Sequence, residues 1–165
     1  LQNKRPKANV YFAATTQEEI GLRGARTSSY LINPDVGISL EAGVASDHPG
    51  ITKDEAQEVL GKGTGLFLFD ASMIPNENLK QSVINLASKK KIPLQFNLQP
   101  GYGEDGAEMQ KAFTGTPSVN MTVPVRYLHT HYGVIDRNDF DHLVDLLTAL
   151  VYDLTPVKIK KIKQF

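Results

Sequence analysis

The chain has 165 residues, 41% of them hydrophobic, with 18 Lys plus Arg against 18 Asp plus Glu and no cysteine. That length suits one globular domain with a real core, and the composition excludes the disordered class. Balanced charge argues against nucleic acid as a partner, while the lack of Cys excludes disulfides, thiolate metal sites and a cysteine nucleophile.

Short apolar runs alternate with helical periodicities, the rhythm of an α/β fold. The pattern predicts a first strand at Val10–Ala14 and a helix around Ile20–Tyr30, weakened by its glycines. A strand follows at Val36–Glu41, closed by its carboxylate, and another at Gly65–Asp70. After Pro75-Asn76, Leu79, Val83, Leu86 and Ala87 recur on one helical face, with Lys89, Lys90 and Lys91 in the last turn, where they complement the helix dipole. Strands at Pro93–Leu98 and Ser118–Val123 flank a short helix around Asp105–Phe113. A long amphipathic helix runs from an Asp136/Asn138 cap region to Thr155-Pro156, with Phe140, Leu143, Val144, Leu147, Leu150, Val151 and Leu154 on its apolar face. The tail Val157–Lys163 alternates like an edge strand protected by lysines. No run approaches the roughly 18 apolar residues of a membrane span, and no apolar signal core follows the opening charges; the expectation is a cytoplasmic protein without membrane contact.

Four segments could carry chemistry. Glu18 and Glu19 follow the first strand, at the end where open α/β sheets place ligands. Adjacent carboxylates repel, which a bound cation would relieve, with one Glu as ligand and the other free to take a proton from water; equally, acidic residues suit a helix N-terminus. Glu41 closes an apolar strand and is either solvated there or paired with a cation. In Arg126-Tyr127-Leu128-His129-Thr130-His131, the two imidazoles share a face if the segment is extended, one as a metal ligand and the other as its neighbour. The glycine-rich Gly101–Ala107 loop opens a helix, but its spacing matches no phosphate-binding fingerprint and Glu104-Asp105 would repel a phosphate.

Four landmarks in order resemble the glutamyl aminopeptidase group of the tetrahedral aminopeptidase family, dinuclear metallopeptidases sometimes described as cellulases or endoglucanases. They are Gln17–Ala25, then Leu40–Gly43 with Asp47-His48-Pro49-Gly50, then Gly61-Lys62-Gly63, and finally Arg126–Thr130. The resemblance implies a three-layer α/β/α fold of the zinc-dependent exopeptidase type, its mixed sheet flanked by helices. It also implies two divalent metal ions, zinc or cobalt, and peptide substrates with acidic N-terminal residues preferred. Residue by residue, Glu18 becomes the general base that activates water, Glu19 and His129 ligands of one metal, and Glu41 a ligand of the other. Asp105 falls within the family's Gly-Gly-Thr-Asp-Ala-Gly loop, from which Gly103-Glu104-Asp105-Gly106-Ala107 departs on both sides of the Asp.

Family members are about twice this long. The expectation is that residues 1–165 form the C-terminal part of the catalytic domain, without the N-terminal part that supplies a His ligand and a bridging Asp or the dimerisation domain. Alone, such a chain would be inactive or nearly so, and its unpaired half would favour association with itself. The alternatives are a non-catalytic fragment or partner subunit of a split enzyme, and a glycoside hydrolase using Glu18 and Glu41; the absence of Trp speaks against sugar-stacking platforms.

Overall fold

A computed structural model of the chain describes residues 5–164. The strands among them are β1 (Gly37–Val44), β2 (Thr64–Asp70), β3 (Leu94–Gln99) and β4 (Ser118–Val125). The helices are α1 (Arg23–Ile32), α2 (Glu77–Lys90), α3 (Gly106–Gln110), α4 (Arg137–Asp153) and α5 (Pro156–Ile162). One mixed sheet runs in the order β1-β4-β2-β3, with β1 parallel to β4, β2 parallel to β3, and β2 antiparallel to β4. Helices α2, α4 and α5 cover one face and α1 and α3 lie on the other, giving three layers. No described helix is long and apolar enough to cross a membrane.

The central strand β4 is buried along its whole length, and its two faces differ in kind. Val119, Met121 and Val123 meet Leu79, Val83, Leu146 and Leu150 from α2 and α4 in the hydrophobic core. Ser118, Asn120 and Thr122 point the other way and are fully buried too. Buried polar groups must find hydrogen-bond partners, so this second face carries a network. The Thr122 hydroxyl donates to Glu58 Oε1 at 2.6 Å, Asn97 Nδ2 donates to the same oxygen at 3.2 Å, and Gln99 Nε2 donates to Asn97 Oδ1 at 3.2 Å. A Cβ at Gly43 or Gly65 would stand 2.0 Å from a Glu58 carboxyl oxygen, so glycine on β1 and β2 makes room for that carboxyl. Farther along, Asn120 Nδ2 donates to Asp70 Oδ2 at 2.7 Å.

Local chemistry sets the helix ends. The Asn76 side chain accepts from Leu79 N at 2.9 Å to start α2, and Asp136 accepts from Asn138 N at 2.8 Å to start α4. Within the first turn of α4, fully buried Asp139 accepts from Gly61 N and Gly63 N, both at 2.7 Å. Gly63 has φ +105°, and a Cβ there would lie 2.3 Å from the Pro93 carbonyl oxygen. The Gly61-Lys62-Gly63 segment is thus a backbone clamp between β2 and α4.

The structure departs from the sequence expectations at four places. Residues 9–14 run without ladder partners among the described residues, and Tyr11 and Phe12 are exposed. Strand propensity is present there, yet Val10–Ala13 lines a groove of about 1000 Å³ beside Ile38, Leu40, Leu147 and Val151 and is not paired with the free edge of β1. The tail is the helix α5 and not an edge strand. Thr155 Oγ1 accepts from Lys158 N at 3.3 Å, Pro156 occupies the first turn, and Ile159 and Ile162 fall three apart on the face packed against the core. On α4, Leu146 and Asp139 are buried while Phe140 and Val144 are 44% exposed, because the Asp139 clamp rotates the buried face. Finally, β1 continues to Val44, so Glu41 sits within the strand and does not close it.

Two stability outcomes follow. Asp139→Ala leaves the buried Gly63 amide without an acceptor, and urea denaturation should register a loss of about 3 kcal/mol. Burial pushes the Glu58 carboxyl up from 4.5 to about 7, against the hydrogen bonds from Thr122 and Asn97, which lower it. With the folded pKa above the unfolded one, the native state binds the extra proton between those limits. Stability present below pH 4.5 is therefore lost as pH rises to about 7, by about 3 kcal/mol. Glu58→Gln removes this group's slope: relative to the parent, the variant should gain about that much stability between pH 4.5 and 7.5.

Candidate active site

Glu18 and Glu19 sit in a tight turn before α1. Gln17 and Leu22 hold left-handed backbone at φ 58° and 56°, and the Glu18 carbonyl accepts from Gly21 N at 3.0 Å and Leu22 N at 2.9 Å. Gly24 lets the start of α1 cross close beneath this turn, for a Cβ there would lie 2.3 Å from Thr16 N. The first turn of α1 contains no acidic residue, so the two carboxylates do not serve its dipole.

His129 reaches the same place from the loop after β4, itself in left-handed backbone at φ 59°. Its Nε2 lies 3.2 Å from Glu19 Oε2, and its ring stacks near Tyr102 with centroids 6.1 Å apart. His131 is exposed on the same loop.

Glu41 projects from β1 onto the polar face of the sheet, where its Oε1 accepts a hydrogen bond from the Ser39 hydroxyl. Burial pushes its carboxyl up to about 7 despite that hydrogen bond, and Asp105 and Glu18 push the same way. Glu18 is raised by burial first, then by Glu19 and Asp105, with the His129 imidazole the opposing influence. Asp105 stands at the start of α3 and accepts from the Thr15 hydroxyl at 2.6 Å, while its buried Oδ1 has no partner. Next to it, Glu104 is only 7% exposed. Its carboxyl rises to about 9 through burial and through repulsion from Glu41, Glu18, Asp70 and Asp105.

The site therefore gathers carboxylates from the turn before α1, from β1 and from the start of α3, with one imidazole from the loop after β4. Hard oxygen and imidazole donors are the types that divalent cations take, and the excess of negative charge is what such cations would neutralise. Glu19 and His129 are spaced to share one ion. Glu41 supplies one donor more, but among the described residues no three His, Asp or Glu side chains converge closely enough to hold an ion by themselves. The donor set fits in kind and falls short in number.

Local spacing marks Glu104-Asp105 as an obstacle to phosphate, and the family resemblance places Asp105 in the family's loop; neither makes Glu104 a site residue. Their position at a helix start, on the ligand-bearing edge of the sheet, was the available signal. The partnership of Asp47 with Arg126, at 2.8 and 2.5 Å, had no local signal at all.

Three relationships bear on this arrangement. The chain is 35% identical over 152 residues to lysyl aminopeptidase of Pyrococcus furiosus, which covers 92% of this chain and 42% of that protein. Glutamyl aminopeptidase of Lactococcus lactis is 31% identical over 165 residues, covering 100% of this chain and 45% of that protein. The solved TET aminopeptidase of the marine sediment archaeon Thaumarchaeota archaeon SCGC AB-539-E09 superposes with a TM-score of 0.88 at 41% identity, over 91% of this chain and 42% of that one. The chain thus spans less than half the length of these relatives. The model of the M42 glutamyl aminopeptidase family matches residues 1–146. With that match and the shared α/β layers, the chain belongs to the M42 glutamyl aminopeptidase family.

Proposed function

We propose that the chain contributes part of the active site of a metal-dependent aminopeptidase, as the C-terminal part of its catalytic domain. The observation that carries this reading is the 3.2 Å approach of Glu19 to His129, from segments far apart in the chain, beside Glu18 and the acidic groups of β1 and α3. In this reading Glu19 and His129 are ligands of one divalent ion, zinc or cobalt, and Glu41 is a ligand of a second. Bound there, the ions would polarise the scissile carbonyl and ease deprotonation of water.

Glu18 is the general base. Its carboxyl is free of the metal donors, lies beside them, and is raised by burial and neighbouring charge toward the range where a carboxylate takes up a proton effectively. It would accept the proton of the attacking water and return it to the leaving amine. Glu104 and Asp105 add negative charge around the cations. Acidic N-terminal residues are the proposed preference on the family resemblance, and the named relatives divide between lysyl and glutamyl activity. Homo-oligomeric assembly in the cytoplasm completes the proposal; a solved relative at 28% identity is described as assembling into a tetrahedron or a large octahedral shell.

Assays on glutamyl, lysyl and leucyl anilides with zinc or cobalt should find the 165-residue chain alone orders of magnitude slower than a full-length relative, since no three donors converge within its described residues. In an enzyme assembled with the remaining donors, Glu18→Gln should lower kcat by about 10²–10⁴-fold while metal content is kept. Glu19→Gln and His129→Ala should instead lower metal content. Turnover that survives a chelator would overturn the metal-dependent reading.

A further inference from the structure

The loop that presents His129 is held in an unfavourable shape by groups outside the site. Tyr127 and His129 both adopt left-handed backbone, at φ 61° and 59°, a region that side-chain-bearing residues enter only when their surroundings compel it. The base of the loop is closed by a two-way bridge, Arg126 N to Val134 O at 2.9 Å and Val134 N to Arg126 O at 3.2 Å. Inside it, Thr130 Oγ1 donates to the Tyr127 carbonyl at 2.7 Å and accepts from Tyr132 N at 3.2 Å. These bonds shape the loop without tying it to the rest of the protein.

The tie comes from the segment after β1. Arg126 donates through Nε to Asp47 Oδ1 at 2.8 Å and through Nη2 to Asp47 Oδ2 at 2.5 Å, a two-pronged pairing that fixes orientation as well as distance. The next residue along each segment repeats the contact: the His48 ring packs on the Tyr127 ring, with centroids 4.6 Å apart. Asp47 is itself anchored, since its Oδ2 accepts from Leu60 N at 3.2 Å and Ser46 N donates to the Glu58 carbonyl at 2.8 Å.

We propose that Asp47 and His48 are positioning residues that grip Arg126 and Tyr127 and thereby aim the His129 imidazole at Glu19. This rests on the reading of His129 as a metal ligand, and it gives the Asp47-His48 pair a role in the site without contact with substrate or ion. The grip acts through another residue's backbone, so its loss frees the loop while the sheet and helices stay folded.

The test uses the 165-residue chain and its variants Asp47→Asn, Asp47→Ala, His48→Ala and Arg126→Lys, with the exchange Asp47→Arg plus Arg126→Asp as rescue. Amide hydrogen exchange across residues 127–133 and the ring contact between His129 and Tyr102 report the loop. Paramagnetic broadening of His129 on titration with cobalt(II) reports the ion. In Asp47→Ala, loop amides should exchange at least tenfold faster, the ring contact should vanish and the cobalt midpoint should rise about tenfold, with β4 and α4 amides unchanged. Asp47→Asn and Arg126→Lys should fall between, and the double exchange should recover part of the loss. Unchanged loop exchange and ring contact in Asp47→Asn and His48→Ala overturns the proposal, as does loosening spread equally through β4 and α4. The exchange and ring data decide the grip whether or not cobalt broadens His129 of the parent, because the chain's own described donors fall short of three; the ligand reading is decided separately, by the metal content of His129→Ala in the enzyme assembled with the remaining donors.

Discussion

Everything in this fold hangs on a central strand that is buried on both faces but apolar on only one. Val119, Met121 and Val123 are stabilised by area removed from water, which needs no direction. Ser118, Asn120 and Thr122 gain nothing from burial unless each hydrogen bond is made, and those bonds are directional. The apolar face therefore attaches the α2–α4 layer, while the polar face dictates where Glu58, Asp70, Asn97 and the start of α3 must lie. A Cβ at Gly106 would stand 2.0 Å from Asn120 Oδ1, so α3 begins in close contact with that face. Asp105, one residue earlier, is delivered to the candidate site by this packing.

The same face explains the electrostatics. Glu41, Glu104 and Asp105 are brought near one another by strand register and helix placement, at the cost of mutual repulsion and lost hydration. Among the described residues the charged groups that act on Glu104 are all carboxylates, Glu41, Glu18, Asp70 and Asp105, so the cluster is under electrostatic load. Some carboxylates elsewhere are paired with cations, as in Asp47 with Arg126 or Glu77 with Lys80 at 2.6 Å, and others, such as Asp139, are held by backbone amides. The edge of β1 and the start of α3 are where carboxylates from several segments crowd one another, the crowding that the proposed ions would relieve.

What was legible in the sequence was whatever is decided within a few residues. The α2 face of Leu79, Val83, Leu86 and Ala87 is buried as its spacing implied, because helical periodicity is local. The tail misled because Val157, Ile159 and Lys-rich alternation fit a two-residue period, while the decisive residues were Thr155 and Pro156 just before it. Val10–Ala14 has strand composition, yet a strand exists only where a partner backbone is met, and composition is silent about that. Glu18, Glu19, Glu41 and His129 were marked by residue type and motif. The spatial consequence, a carboxylate and an imidazole 3.2 Å apart, depends on the turn before α1 meeting the loop after β4, which no local pattern encodes. The acidic neighbourhood of Glu104 was hidden because every group acting on it belongs to another segment except Asp105.

A site assembled from a turn, a strand, a helix start and a loop inherits the rigidity of its least supported contributor. Glu41 is carried by a strand hydrogen-bonded to β4, and Asp105 is held by Thr15 and by α3. Among the described residues the loop of His129 has no ladder beyond the Arg126–Val134 bridge at its base, and it contains two left-handed residues. An imidazole that must meet a carboxylate within a few tenths of an ångström cannot depend on such a loop unaided. The arginine at its root, with a planar fork that accepts one orientation of a carboxylate, supplies the missing constraint, and Asp47 sits on the segment that directly continues the Glu41 strand. In the proposed grip the imidazole and the carboxylate of β1 are thus referenced to a single stretch of backbone.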